Sequence, residues 1–241
     1  ILISETRGED MCKRFVFNGV DTITGFNFDI DLSVWTHTVV TEKNRFYIGI
    51  KMPDNKYHSF HGVNKNGNVG TLLYVHGNEN AAYRKDENCY TISALTENFI
   101  KGEVSFEEAL NIVQEREIIY APDASMQAML SDKNGRVLII EPGIGYKYEQ
   151  KEFSLITNYS VLSPETTKPY IVSGDTRYEA AKELLEAYDK KFSVSDACKV
   201  LKSVCQKGLW ATRVSFVYSA FQNKVYYVLN NDFDNISEFQ L

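Results

Sequence analysis

An α+β fold with antiparallel sheets and helices packed outside them is what this sequence predicts, on three observations. Runs of strand-like sequence, a helical pair, more strands, a second helical pair and closing strands follow one another in segregated blocks. Such blocks favour antiparallel sheets over the strict strand–helix alternation of a parallel nucleotide-binding fold. The 241 residues also include 15 Tyr and 14 Phe, large rings that suit pleated, half-buried surfaces. Finally, no repeat or low-complexity linker divides the chain. Residues 12–241 therefore read as one domain able to bury a substantial core, and 1–11 as a leader, propeptide or cloning remnant.

The elements follow in order. CKRFVFN (12–18) and TITGFNF (22–28) read as strands around a Gly19-Val20-Asp21 turn. RFYIGIK (45–51) continues the series. NKNGNVG (64–70) is a turn-rich connector into the apolar strand TLLYVHG (71–77). A helical pair is expected at about 89–101 and 105–117, the second opened by Ser105 with Glu108 reaching back to it. Strands return at 126–132, 136–141, 146–150 and 153–158, with Asn134-Gly135 as a hairpin signal between the first two. The second helical pair runs from Thr176 to about Asp189 and from Ser193 to about Gln206, with Thr176-x-x-Glu179 and Ser193-x-x-Asp196 as start signals. RVSFVYSAF (213–221) and KVYYVLN (224–230) close the chain, hinged at Gln222-Asn223.

Composition excludes several function classes. The net charge is −6 and no basic block occurs, which argues against nucleic acid and anionic membranes as partners. No apolar run approaches the roughly 20 residues that span a bilayer, and ILISETRGED lacks the apolar length and cleavage site of a secretory signal. The four cysteines, at 12, 89, 198 and 205, include no Cys-x-x-Cys pair. If Cys198 and Cys205 both lie on one helix they are about two turns apart, roughly 10 Å, too far for a disulfide. Reduced thiols and a cytoplasmic location are the expectation.

Four features could carry chemistry, and each has an ordinary structural reading beside it. Cys12 begins a strand, where a lone cysteine is commonly a small buried hydrophobe. Asn27-Phe28-Asp29 ends the next strand with two polar side chains on one face, as turn-forming residues do. Thr157-Asn158-Tyr159 ends another strand with an amide that could satisfy a loop. Arg213 opens a late strand as a surface cation would.

Taken together, these residues resemble the choloylglycine hydrolase family of N-terminal nucleophile hydrolases, which includes penicillin V acylases and is related to acid ceramidases and penicillin acyltransferases. That family opens on a strand-borne Cys and follows it with Gly-Arg-Asn-x-Asp at the end of a second strand. Here CKRFVFNGVDTITGFNFD supplies Cys12, Gly25, Asn27 and Asp29. The family's Gly-x-Asn-x-x-Gly connector is matched by Gly62, Asn64 and Gly67, and its Thr-Asn strand end by Thr157-Asn158. The resemblance runs from Cys12 to the C-terminus.

It implies a four-layer αββα sandwich with two antiparallel sheets, and a cofactor-free hydrolase of linear amide C–N bonds. Cys12 would be the nucleophile, its thiol proton taken by its own α-amine, which titrates near neutrality as an amide nitrogen cannot. Asp29 would orient that amine or the thiol. Asn158, with the backbone or side chain of Tyr74, would stabilise the oxyanion, and Arg213 matches the family's late active-site arginine. One departure stands out: the family arginine before Asn27 is Phe26 here. Arg14, two residues beyond Cys12 on the same strand face, could supply a guanidinium in its stead. Phe26, Tyr74 and the wealth of rings favour an apolar or aromatic acyl group.

The expected partner is a small N-acyl molecule: penicillin V-like, bile-salt-like, or an N-acyl amino acid or lactone. Self-association is left open. With residues 1–11 attached, the nitrogen of Cys12 is an amide, and that form is expected to be inactive. A ligand-binding descendant without catalysis and an acyltransferase are the competing readings. His58, His61 and His76 supply three imidazoles, but their spacing matches no metal signature.

Overall fold

The computed structural model describes residues 12–122, 124–171 and 173–241, so the leader reading for 1–11 lies outside the described residues. The chain begins with a hairpin, β1 (Lys13–Asn18) and β2 (Thr22–Asp29), and continues through β3 (His37–Glu42), β4 (Arg45–Lys51), β5 (Tyr57–Asn64) and β6 (Val69–Tyr74). A short strand β7 (Cys89–Thr91) leads into α1 (Ile92–Lys101) and α2 (Phe106–Glu115), followed by β8 (Glu117–Ile119). Then come β9 (Met126–Ser131), β10 (Val137–Glu141), β11 (Gly145–Glu149) and β12 (Phe153–Ile156). The one-turn α3 (Pro164–Thr167), α4 (Arg177–Ala187) and α5 (Val194–Ser203) precede β13 (Thr212–Ser219), β14 (Lys224–Leu229) and β15 (Ser237–Gln240).

Two antiparallel sheets result. The first has six strands in the order β12-β1-β2-β13-β14-β15, the second seven in the order β11-β10-β9-β6-β5-β4-β3. The strand period of two decides where each side chain goes. On β1 the even residues Arg14 and Val16 face the second sheet, while Phe15 and Phe17 face α4 and α5. Phe26, Phe46, Ile48, Met129, Ile139 and Phe216 fill the space between the sheets. Each such ring or branched chain contributes roughly 1.5–3 kcal/mol through burial. Phe15, Phe17, Leu185, Ala197 and Leu201 form the layer under α4 and α5, and Leu72, Leu95, Phe99, Leu130 and Ile140 the layer under α1 and α2. The architecture is α+β in four layers, αββα.

Local signals explain several boundaries. Ser105 and Glu108 complete a reciprocal cap, and so do Ser193 and Asp196. Thr176 makes no such bond, and the Asp175 carboxylate accepts from the Arg177 backbone N–H instead, at 2.8 Å. The Gly62-Val63-Asn64-Lys65-Asn66-Gly67 connector is a turn built around one amide. Asn64 Oδ1 accepts from the N–H groups of Asn66 and Asn68 at 3.0 and 3.2 Å, while its Nδ2 donates to the Phe99 carbonyl at 3.2 Å. Gly67 takes a φ of +83° there, which a side chain would strain.

Some elements differ from the sequence reading. Residues 89–91 and 117–119 are a parallel strand pair and not helix ends, because Thr91 caps α1 and starts it at Ile92. Strands β3, β5 and β15 carry no clean alternation and emerge only from pairing. The last helix stops at Ser203, so Cys205 lies beyond it with its thiol donating to the Leu201 carbonyl at 3.2 Å. No disulfide joins any of the four cysteines.

Candidate active site

Pairing of β1 with its two neighbours builds the site. Arg14 lies opposite Ile156 on β12 and opposite Phe26 on β2, and Lys13 lies opposite Asn27. Continuing these registers by one and two residues sets Lys13 against Thr157, and Cys12 between Asn158 and Phe28. Residues that face each other across antiparallel strands share a face. Cys12, Asn158 and Phe28 therefore share the face that looks onto the second sheet, at the end of the first. Lys13, Thr157 and Asn27 share the opposite face, toward α4 and α5.

Cys12 is buried, and its Sγ accepts from the Asp29 backbone N–H at 3.4 Å and lies 3.7 Å from the Asp29 carbonyl oxygen. Asn158 is buried too, and its Nδ2 donates to the Tyr74 carbonyl at 2.6 Å. This bond ties the end of the first sheet to the end of β6 in the second. The Asn158 Oδ1 atom is buried without a hydrogen-bond partner. The Tyr74 side chain itself is exposed. Gln127 fixes the Asn158 turn from β9, donating through Nε2 to the carbonyls of Thr157 and Tyr159.

Asp29 points to the helix side. Its Oδ1 accepts from the Thr212 hydroxyl at 2.5 Å, and its Oδ2 lies 3.9 Å from Arg177 Nη1. Burial pushes this carboxyl up to about 7, against the Thr212 hydrogen bond and the attraction of Arg177 and Lys13. Lys13 is 1% exposed, and its Nζ donates to Thr157 Oγ1 at 2.7 Å. Burial, then repulsion from Arg177, lowers its ammonium to about 8, while Asp175, Asp29 and Cys12 pull the other way. Arg177 is held by Asp175 at 2.6 Å and by Gln206 Oε1 at 2.6 Å. A shallow cleft of about 410 Å³, lined in part by Asp175, Arg177, Gln206 and Lys207, opens beside this cluster.

The other predicted residues are distributed as follows. Arg14 is fully buried and crosses to the second sheet, where its guanidinium donates to the Met129 carbonyl at 2.5 Å, Ser131 Oγ at 2.6 Å and Thr71 Oγ1 at 3.3 Å. Phe26 stacks on His61 with ring centroids 5.2 Å apart. Arg213 occupies the register break of β13 opposite the Phe28–Asp29 step, and burial together with its charge lowers the basicity of His37. The His37 ring in turn lies 5.6 Å from that of Phe28. The three imidazoles separate: His58 bonds Asp54 and Glu97, His61 accepts from the Leu72 N–H in the core, and His76 stacks on Tyr170. No group of His, Cys, Asp or Glu among the described residues converges as a metal site.

Sequence reading missed Lys13, Thr212, Arg177, Asp175 and Gln127. For Lys13 a signal existed, since two adjacent cations interrupt an otherwise apolar strand in CKRFVFN. The others come from distant segments whose proximity only the fold creates.

The two antiparallel sheets between helix layers, with Cys12 at the end of the first sheet, make an αββα sandwich that the chain shares with solved structures. Solved structures sharing the fold include a point variant of conjugated bile acid hydrolase from Clostridium perfringens, at 13% identity and a TM-score of 0.71, with 95% of this chain and 92% of that one covered. Penicillin V acylase from Agrobacterium tumefaciens is similar at 14% identity and a TM-score of 0.68, covering 95% and 86%. The Caenorhabditis elegans ortholog of N-acylethanolamine-hydrolyzing acid amidase follows at 16% identity and a TM-score of 0.58, covering 87% and 93%. No family model matches the chain, and no curated protein matches it in sequence.

Proposed function

We propose that the protein hydrolyses a linear amide bond in an N-acyl small molecule, with Cys12 as nucleophile. The observation that carries this reading is the row Asn158–Cys12–Phe28 at the sheet end, in a fold shared with three amide hydrolases. The α-amine of Cys12, once it is an amine and not an amide, takes the thiol proton. The thiolate attacks the acyl carbonyl carbon, and the resulting oxyanion is met by an Asn158 Nδ2–H and neighbouring backbone N–H. The C–N bond breaks as the α-amine returns its proton to the leaving amine. Water then attacks the thioester, regenerating the thiol and releasing the carboxylic acid. Phe26, Phe28 and the exposed Tyr74 favour an apolar or aromatic acyl group.

The test is intact-mass spectrometry after incubation with a panel of N-acyl amino acids, phenoxyacetyl amides and N-acyl lactones. Protein beginning at Cys12 should gain one acyl group, and Cys12→Ala should gain none. Protein retaining residues 1–11 should stay unlabelled. Equal labelling of wild type and Cys12→Ala would end the hydrolase reading. A second reading, a ligand-binding descendant of the fold, rests on Phe26 standing where related enzymes carry arginine. Binding of an N-acyl ligand without acylation of protein beginning at Cys12 would select it.

A further inference from the structure

We propose that Glu141, a buried carboxylate at the end of β10, is a positioning residue for the oxyanion amide: it anchors the turn that carries Asn158 to the second sheet. Strand registers put it there. Gln127 on β9 lies opposite Leu73 on β6, and Ile140 on β10 lies opposite Ala128. Continuing the second register by one residue sets Glu141 opposite Gln127. Leu73, Met129 and Ile139 face the space between the sheets, so by the strand period of two Gln127 and Glu141 face it as well. The row Leu73–Gln127–Glu141 therefore looks onto the end of β12, and its contacts land there. Gln127 Nε2 donates to the Thr157 and Tyr159 carbonyls. Glu141 Oε2 accepts from the Ser160 hydroxyl, and its Oε1 accepts from the Val161 N–H at 2.8 Å. Asn158 sits between these anchors, with its own Nδ2 on the Tyr74 carbonyl at 2.6 Å.

A carboxylate in this place is costly. Glu141 is 2% exposed, and burial pushes its carboxyl up, opposed by hydrogen bonds from Ser160, Val161 and Leu162 and by no cation among the described residues. A buried charge without an ion pair depends on its hydrogen bonds. The loop explains why a carboxylate is needed. Ser160 Oγ also accepts from the Ser163 N–H at 2.7 Å, so its own hydrogen is committed to Glu141. The Ser160 N–H is taken by Thr167 Oγ1 at 2.6 Å, which ties α3 to the same point. The anchor must therefore accept twice, from one hydroxyl and one N–H. A carboxylate offers an oxygen to each, and a glutamine of the same shape offers only one.

This rests on Asn158 meeting the oxyanion, but its amide can be read without a substrate. Exchange of the Asn158 side-chain N–H with water is measured by NMR in the full chain, the signal being assigned by its loss in Asn158→Ala. Glu141→Gln should speed that exchange by about tenfold, the effect of about one net buried hydrogen bond on local opening. Ser160→Ala, which removes one donor and keeps the carboxylate, should speed it in the same direction, and this arm stands if Glu141→Gln does not fold. In protein beginning at Cys12 with an N-acyl substrate, Glu141→Gln should lower kcat by about tenfold, short of the loss of about 10²–10³ for one oxyanion donor, with KM little changed. The double variant Glu141→Gln/Asn158→Ala should be no slower than Asn158→Ala, since both changes act through one group. A further loss of that size in the double variant, as a merely structural role would give, overturns the proposal. So does wild-type amide exchange in Glu141→Gln or in Ser160→Ala. Faster exchange in a protein that turns over no N-acyl substrate keeps Glu141 as the anchor of Asn158 and removes the hydrolase reading.

Discussion

Replacing Asp29 by Asn should make the protein more stable at pH 8 and catalytically poor. The carboxyl is buried, and burial raises it from 3.8 to about 7 despite the Thr212 hydroxyl, Arg177 and Lys13. A folded-state value above the unfolded one means the fold prefers the protonated acid. The associated stability is fully present below about pH 3.8 and is lost as pH rises through about 7. At about 1.4 kcal/mol per pH unit, the difference of roughly three units sets a ceiling of about 4 kcal/mol. An asparagine stays neutral throughout, and its Oδ1 still accepts from Thr212. The variant should therefore match wild type near pH 4 and exceed it progressively toward pH 8.

Urea unfolding at pH 4.5, 6 and 8 measures this directly. Parallel curves for the two proteins across that range, or a variant less stable at pH 8, would refute the claim that the fold bears an ionised Asp29 at a cost. Under the proposed function, with Asp29 orienting the Cys12 amine, the same variant should also acylate slowly. Stability gained where activity is lost is the expected signature of a functional group held against its preference.

Other outcomes follow from the same geometry. Asn158→Ala should lower kcat by about 10²–10³, the usual loss for one oxyanion donor, and steady-state kinetics on an acylating substrate reads it. Phe26→Arg should cost about 3 kcal/mol or more, because it buries a charge against the neutral rings of His61 and Phe216. That corresponds to a fall in Tm of about 6–12 °C by calorimetry, and an unchanged Tm would show that the guanidinium reaches the cleft. Ser193→Ala breaks a complete capping box and should cost about 1 kcal/mol of stability with kinetics unaltered.

The parts of the fold legible in sequence are those decided within a few residues. Ser105 and Ser193 announce α2 and α5 through local caps, and the Gly62–Gly67 turn is written in the residues that make it. Strand β5, YHSFHGVN, was not legible, because His58 and His61 look alike in sequence and differ only in surroundings. One sits in a surface ion pair, and the other is neutral in the core, where burial drops it to about 3. The site divides the same way. Cys12, Asn27, Asp29 and Asn158 stand in recognisable strand-end patterns. Thr212 reaches Asp29 across 183 residues, and no local pattern encodes that meeting. Thr176 shows the opposite error, a start signal whose work is done by the neighbouring Asp175.

The ring at position 26 makes physical sense beside Arg14. The two positions face each other across β1 and β2 and point into the same inter-sheet space. Arg14 spans that space, and its acceptors there, Thr71, Ser131 and the Met129 carbonyl, are neutral. Burial lowers it to about 9, and its Nε has no hydrogen-bond partner. A second guanidinium at 26 would bring two like charges close together in this layer, where each desolvated charge already costs several kcal/mol. The ring at 26 avoids this by stacking on the neutral His61 ring and packing at a tilt against Phe216.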